Sequence, residues 1–180
     1  MRQQAARVPG RSAMSSNVEI KARVADPEPL AARTEALAGR PCEVIHQEDV
    51  FFGTKRGRLK LRILSPGRGE LIYYEREDAA GPSRCDYRIV PTERPDAMRE
   101  VLSAALEVRG VVRKERRLWL VGQTRIHLDR VEGLGDFVEL EVVLREDQTV
   151  AEGESIARDL MAMLGVAEGD LVAGAYIDLA

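Results

Sequence analysis

The chain is 180 residues long, with 27 Lys+Arg against 30 Asp+Glu, a net charge of −3, and 44% hydrophobic residues. That length and apolar content suit one domain with a packed core and exclude collagen-like, low-complexity and wholly disordered classes. Charges interrupt every apolar stretch before the ~18 residues of a membrane span, and an acidic total supplies no basic field for a long nucleic acid.

Residues Met1 to Ser16 contain Arg2, Arg7 and Arg11, no acid and no apolar periodicity. They read as a disordered basic extension, or as sequence upstream of a true start at Met14. A basic, acid-free, Ser-containing start is also what an organelle transit peptide has. Residues 17–180 read as a single domain. Asn17–Val24 alternates apolar and polar, as a strand with one buried face does. Asp26-Pro27 opens a helix that runs to Leu37 and stops at Gly39. Val44–Phe52, Arg58–Leu64, Glu70–Glu77 and Arg84–Val90 are extended, punctuated by Pro66-Gly67 and by Ala79–Ser83. A helix is expected over Pro95–Leu106, then strands over Val111–Val121, Gln123–Val131 and Asp136–Leu144. A third helix covers Thr149–Leu164 and ends at Gly165, leaving a short mixed tail, Leu171–Leu179. About eight strands without βαβ alternation predict an α+β fold built on a mostly antiparallel sheet or closed barrel, with helices to cover it.

The placement of charge is more informative than its sum. Glu19, Lys21 and Arg23 fall on one face of their strand. So do Arg58, Lys60 and Arg62; Lys114 and Arg116; Arg125, His127 and Asp129; and Glu139 and Glu141. An antiparallel sheet with one face in water accounts for this pattern. So does a barrel whose apolar outer face is covered by helices and whose interior is lined by charge. Such a lumen suits a polyanion held with a divalent metal, the bases gripping phosphate oxygens and the carboxylates a hard cation. Carboxylates two residues apart on a strand point the same way, with Cα atoms about 6.5–7 Å apart, within reach of one ion or a close ion pair.

These residues resemble a known family. Val18-Glu19-Ile20-Lys21-Ala22-Arg23 is similar to the ExExK-type opening of the CYTH superfamily, the triphosphate tunnel metalloenzymes. Further pieces follow in that family's order: Arg58-Leu-Lys60-Leu-Arg62, Leu71-Ile-Tyr-Tyr-Glu-Arg76, Asp86-Tyr-Arg88, Val112-Arg-Lys114-Glu-Arg116, and the block from His127-Leu-Asp129 through Gly-Leu-Gly135 to Glu139-Leu-Glu141. The resemblance runs from Asn17 to about Leu179. It implies an eight-stranded antiparallel tunnel with helices packed outside.

By the same resemblance, Glu19, Glu139 and Glu141 match metal-binding carboxylates, with Asp129 a further acid, and the metal is Mg²⁺ or Mn²⁺. Lys21, Lys60, Arg62, Lys114 and Arg116 match triphosphate-binding bases, and Arg76, Arg88 and Arg125 are additions to that set. Lys21, Lys114 and Arg116 are the expected catalytic cations. The first acid of the opening motif is replaced by Asn17, which offers a neutral oxygen and one negative charge fewer. Glu115 and Arg117 belong to the outer face. The implied ligand is a small-molecule triphosphate: ATP, thiamine triphosphate or inorganic triphosphate. The implied activity is that of a class IV adenylate cyclase, with a triphosphate hydrolase and a non-catalytic polyphosphate- or nucleotide-binding module as the competing readings. Members of the family are often homodimers. His127 alternates into the same face, although hard cations prefer oxygen. Cys42 and Cys85 have neither paired spacing nor a neighbouring base, and read as packing residues of a protein in a reducing cytoplasm.

Overall fold

In the computed structural model, which describes residues 15–179, eight antiparallel strands close into a barrel. They are β1 (Ser15–Arg23), β2 (Glu43–Phe52), β3 (Arg58–Ser65), β4 (Arg68–Arg76), β5 (Ser83–Thr92), β6 (Val108–Val121), β7 (Thr124–Val131) and β8 (Gly135–Val143). Their order around the barrel is β1-β5-β4-β3-β2-β6-β7-β8, with β8 returning to β1. β1 begins two residues before the expected domain start: Ser15 and Ser16 pair with Tyr87 and Asp86 of β5. The remainder of the basic leader, including Met14, lies outside the described residues.

Helices α1 (Pro27–Ala38), α2 (Pro95–Ala105) and α3 (Val150–Leu164) pack on the outside. Asp26 caps α1 by accepting from the Glu28 amide, and Gly39 leaves it at φ 65°, a left-handed conformation that glycine adopts without strain. A reciprocal Thr149–Glu152 capping box opens α3. The alternation of the strands then makes sense as two environments. Val18, Ile20 and Ala22 of β1, Ile126 and Leu128 of β7, and Val138, Leu140 and Val142 of β8 face outward and pack beneath Leu30, Leu160, Met161 and Leu164. A second outer cluster sets Val50, Phe52 and Leu61 against Met98 and Leu102 of α2. Gly153 lets α3 approach β1, because a Cβ there would stand 2.8 Å from the Val18 side chain and 2.6 Å from Leu144. The hydrophobic core therefore lies between barrel and helices, and the inner face is free to carry charge.

After a 3-10 turn (Glu168–Asp170), the chain bridges Ala22 with Leu171 and ends in the four-residue helix α4 (Tyr176–Leu179). This mixed tail had no readable period, yet it has a defined place. Tyr176 packs with Phe51, Val112, Val131 and Phe137, inward residues at one end of the barrel. Its ring meets Phe137 edge-on, centroids 5.0 Å apart. The tail thus stops that end with an apolar plug. No helix among the described residues is long and apolar enough to cross a membrane.

Candidate functional site: the barrel interior

Inside the barrel is a cavity of about 610 Å³, enclosed by all eight strands and by Ala175 and Tyr176 of the tail. Glu19, Lys21, Lys60, Arg62, Arg76, Lys114, Arg116, Arg125, Glu139 and Glu141 all line it. The inward alternation expected for β1, β3, β6, β7 and β8 is what brings them together.

The bases are arranged in ion-paired groups. On one wall, the buried Asp49 carboxylate accepts from Lys60 Nζ at 2.7 Å and from Arg62 Nε at 2.9 Å. Burial opposes the charge of Asp49, but Arg62, Lys60 and Lys114 outweigh it and hold the carboxyl far below the usual range. Lys60 is pushed down to about 8, chiefly by burial, with Asp49 pulling the other way. On the adjoining strands, Asp129 accepts from Lys114 Nζ at 2.8 Å and from Arg116 Nε and a terminal nitrogen at 2.6 Å each. The Tyr176 hydroxyl donates to the same carboxylate at 3.0 Å.

Glu139 accepts from Arg116 at 2.6 Å and lies 3.5 Å from Lys21. Burial disfavours its charge, but Lys114 and Arg116 prevail, so its carboxyl titrates well below the normal range. Glu141 accepts from Arg125 Nε at 2.8 Å. Glu19 is paired across the sheet with Glu141, and its carboxylate is held by Arg76. Burial raises the Glu19 pKa, Arg76 opposing and the neighbouring Glu141 and Glu139 reinforcing the rise. Lys21 Nζ and Arg76 both donate to the Gly174 carbonyl, at 2.8 and 2.7 Å, which ties the tail to the floor of the cavity.

One expected residue sits on the outer face. Arg88 lies between Tyr87 and Ile89, which face the cavity, and so points to the outside of β5, where it is exposed. On this strand the charged parity (Arg84, Asp86, Arg88) is the outer one. Asp129 is held among the bases, its oxygens taken by Lys114, Arg116 and Tyr176. Arg117, as expected of the outer face, pairs with Glu28 of α1 at 3.0 Å.

Three side chains have metal-ligating atoms that converge within 4.8 Å of one another: His127, Glu139 and Glu141. Their donor set, two carboxylates and an imidazole nitrogen, fits a divalent cation. Glu19 stands beside them but is turned to Arg76. Asn17, the substituted position, is buried with an Oδ1 that has no hydrogen-bond partner.

Asp49 and Tyr176 were not singled out in the sequence. For Asp49 the signal was available: Val50 and Phe52 of β2 lie under α2, so parity turns Asp49 inward. For Tyr176 there was none, since a four-residue helix has no pattern to read.

Known proteins place this arrangement. A family model for the CYTH domain matches residues 15–176. The adenylate cyclase CyaB of Aeromonas hydrophila is 25% identical over 171 residues, covering 88% of this chain and 85% of that protein. Among solved structures, the PH1012 protein of Pyrococcus horikoshii OT3 superposes with a TM-score of 0.80 at 28% identity, over 91% of this chain and 98% of its own. A conserved protein of Pyrococcus furiosus superposes with a TM-score of 0.77 at 24% identity, over 91% and 99% of the two chains.

Proposed function

Because the chain belongs to the CYTH domain family, we propose that it is a metal-dependent adenylate cyclase, converting ATP to cyclic AMP and pyrophosphate inside the barrel. The observation that carries this reading is the convergence of Lys21, Lys60, Arg62, Arg76, Lys114, Arg116 and Arg125 on one enclosed cavity that also contains Glu139 and Glu141. Eight bases, counting Arg68, face six acids in this lining, and a triphosphate chain is a compact polyanion that such a basic surface can hold. The mouth favours a nucleotide over inorganic triphosphate. There the lining turns to half-buried Ile45, Leu64, Ile89 and Leu118 with Tyr87, a surface suited to an organic group. The likeness to CyaB of Aeromonas hydrophila points the same way.

In this reading Lys60 and Arg62 on β3, and Lys114 and Arg116 on β6, bind the phosphate oxygens. Asp49 and Asp129 keep those cations aimed inward before the substrate arrives. Phosphoryl chemistry is accelerated mainly by such positioning and charge stabilisation, so no protein nucleophile is required. Glu139 and Glu141 would hold a divalent cation, which would supply Lewis-acid polarisation of the phosphorus under attack. The ribose 3′-oxygen forms the new bond to the α-phosphorus, the α–β bridging bond breaks, pyrophosphate takes its electron pair, and the hydroxyl proton is released. Arg116, bonded to both Asp129 and Glu139, is the base assigned here to the leaving pyrophosphate.

The test is a product analysis with ATP and Mg²⁺ or Mn²⁺. Cyclic AMP with equimolar pyrophosphate is the expected result. Orthophosphate without cyclic nucleotide overturns the cyclase and assigns a triphosphate hydrolase. Tight binding of triphosphate with no turnover under either metal assigns a binding module.

A further inference from the structure

His127 is buried in the middle of the charged cavity, with 3% of its surface exposed, yet its Nδ1 has no hydrogen-bond partner. An unpaired polar atom in so closed a place costs on the order of 1–3 kcal/mol and calls for a partner. Its nearest acceptors are Glu139 Oε2 at 3.7 Å and Glu141 Oε1 at 3.6 Å. Both are too long for a hydrogen bond. They are within the ~4.2 Å that two atoms can span when each ligates one ion at about 2.1 Å.

The backbone fixes this geometry. His127 and Glu139 face each other across β7 and β8, and Glu141 follows two residues on, pointing the same way. The neighbouring positions are already satisfied: Arg125 is bonded to Glu141, and Asp129 to Lys114 and Arg116. His127 is the residue of this row on β7 whose nitrogen lies within 4 Å of both carboxylates, Glu139 Oε2 also accepting from Arg116.

We propose that His127 is a ligand of the cavity's divalent cation through Nδ1, completing a His127–Glu139–Glu141 set that discriminates between metals. The proposal rests on the metal-dependent reading of the cavity given above. An imidazole nitrogen adds little for Mg²⁺, which prefers oxygen donors, and more for first-row transition ions such as Mn²⁺. The set therefore favours Mn²⁺ over Mg²⁺ relative to the same cavity with oxygen donors alone. Asn17, which supplies no charge at the first motif position, moves the balance in the same direction by leaving the site less anionic.

The experiment is electron spin-echo spectroscopy on the full chain with stoichiometric Mn²⁺, prepared with ordinary and with ¹⁵N-labelled histidine. Calorimetric titration with Mn²⁺ and Mg²⁺ accompanies it. The echo is expected to carry ¹⁴N modulation that changes to ¹⁵N on labelling. It should persist in His46→Gln, the other histidine, and vanish in His127→Gln. In His127→Gln the Mn²⁺ Kd should rise by about tenfold, with a smaller change for Mg²⁺, so that the ratio of the Mg²⁺ Kd to the Mn²⁺ Kd falls. Mn²⁺ binding without histidine modulation, or with modulation that survives His127→Gln, overturns the proposal and leaves the metal-dependent reading standing. An absence of binding by either ion overturns both. If His127→Gln does not fold, labelled wild type and His46→Gln decide the matter.

Discussion

The Asp49 carboxylate and the Lys60 ammonium are 2.7 Å apart, on neighbouring strands, and both are nearly closed off from solvent. With Arg62 on its other oxygen, Asp49 neutralises part of a wall that would otherwise be purely cationic. Asp49→Asn should remove that counter-charge while leaving the volume unchanged. Breaking one side of a buried ion pair costs about 3–5 kcal/mol, so the denaturation midpoint should fall. Added tripolyphosphate should recover more stability in the variant than in wild type, because a bound anion replaces the missing charge. Thermal unfolding with and without tripolyphosphate reads both effects.

Lys60 carries its charge below about pH 8 and loses it above. A phosphate-binding lysine must be protonated to bind, so triphosphate affinity should weaken as pH rises through that value. A bound polyanion favours the protonated form, and binding above pH 8 should therefore take up protons. Calorimetry at pH 9 in buffers of different ionisation enthalpy should show that uptake, and Lys60→Gln should abolish it.

Glu139→Gln together with Glu141→Gln removes two carboxylates from the convergent metal-ligating group. Metal-dependent turnover should fall by at least about 10²-fold, with the circular-dichroism spectrum unchanged. Persisting activity would displace the metal from this part of the cavity.

Arg76 and Arg88 were both expected in the cage from the sequence, and they now separate. Arg76 lines the cavity and holds Glu19, whereas Arg88 is on the outer face. Arg76→Ala should weaken triphosphate binding markedly. Arg88→Ala should leave the triphosphate Kd unaltered.

Tyr176→Phe should cost about 1 kcal/mol through the lost hydrogen bond to Asp129. Tyr176→Ala should cost about 3 kcal/mol or more, since it also opens a void against Phe137 and Phe51. Urea unfolding of the two variants side by side distinguishes the hydroxyl from the ring.

The barrel and most of its lining were legible because a strand shows its two faces every second residue. Lys21, Lys60, Arg116 and Glu139 announce the inner face by opposing Ile20, Leu61 and Leu140. The rule fails where charge marks the outside instead, as on β5, and there Arg88 was misplaced. It is also silent on contacts made through space: nothing local tells Asp129 that Lys114, Arg116 and Tyr176 will take its oxygens. The closing of one end depends on Gly110, where an added Cβ would stand 2.5 Å from Ile177 of α4. A glycine in a strand does not declare what leans on it.

The stopper formed by Phe51, Val112, Val131, Phe137 and Tyr176 sets the order of traffic. With that end shut, molecules come and go past Ile45 and Leu118 at the other. Under the proposed reaction, the shallower of the two products would depart first, with the deeper one behind it. The deeper product would then be the direct competitor of the next substrate. A product-inhibition pattern in which one fragment competes and the other does not would be the kinetic imprint of a vessel with a single neck.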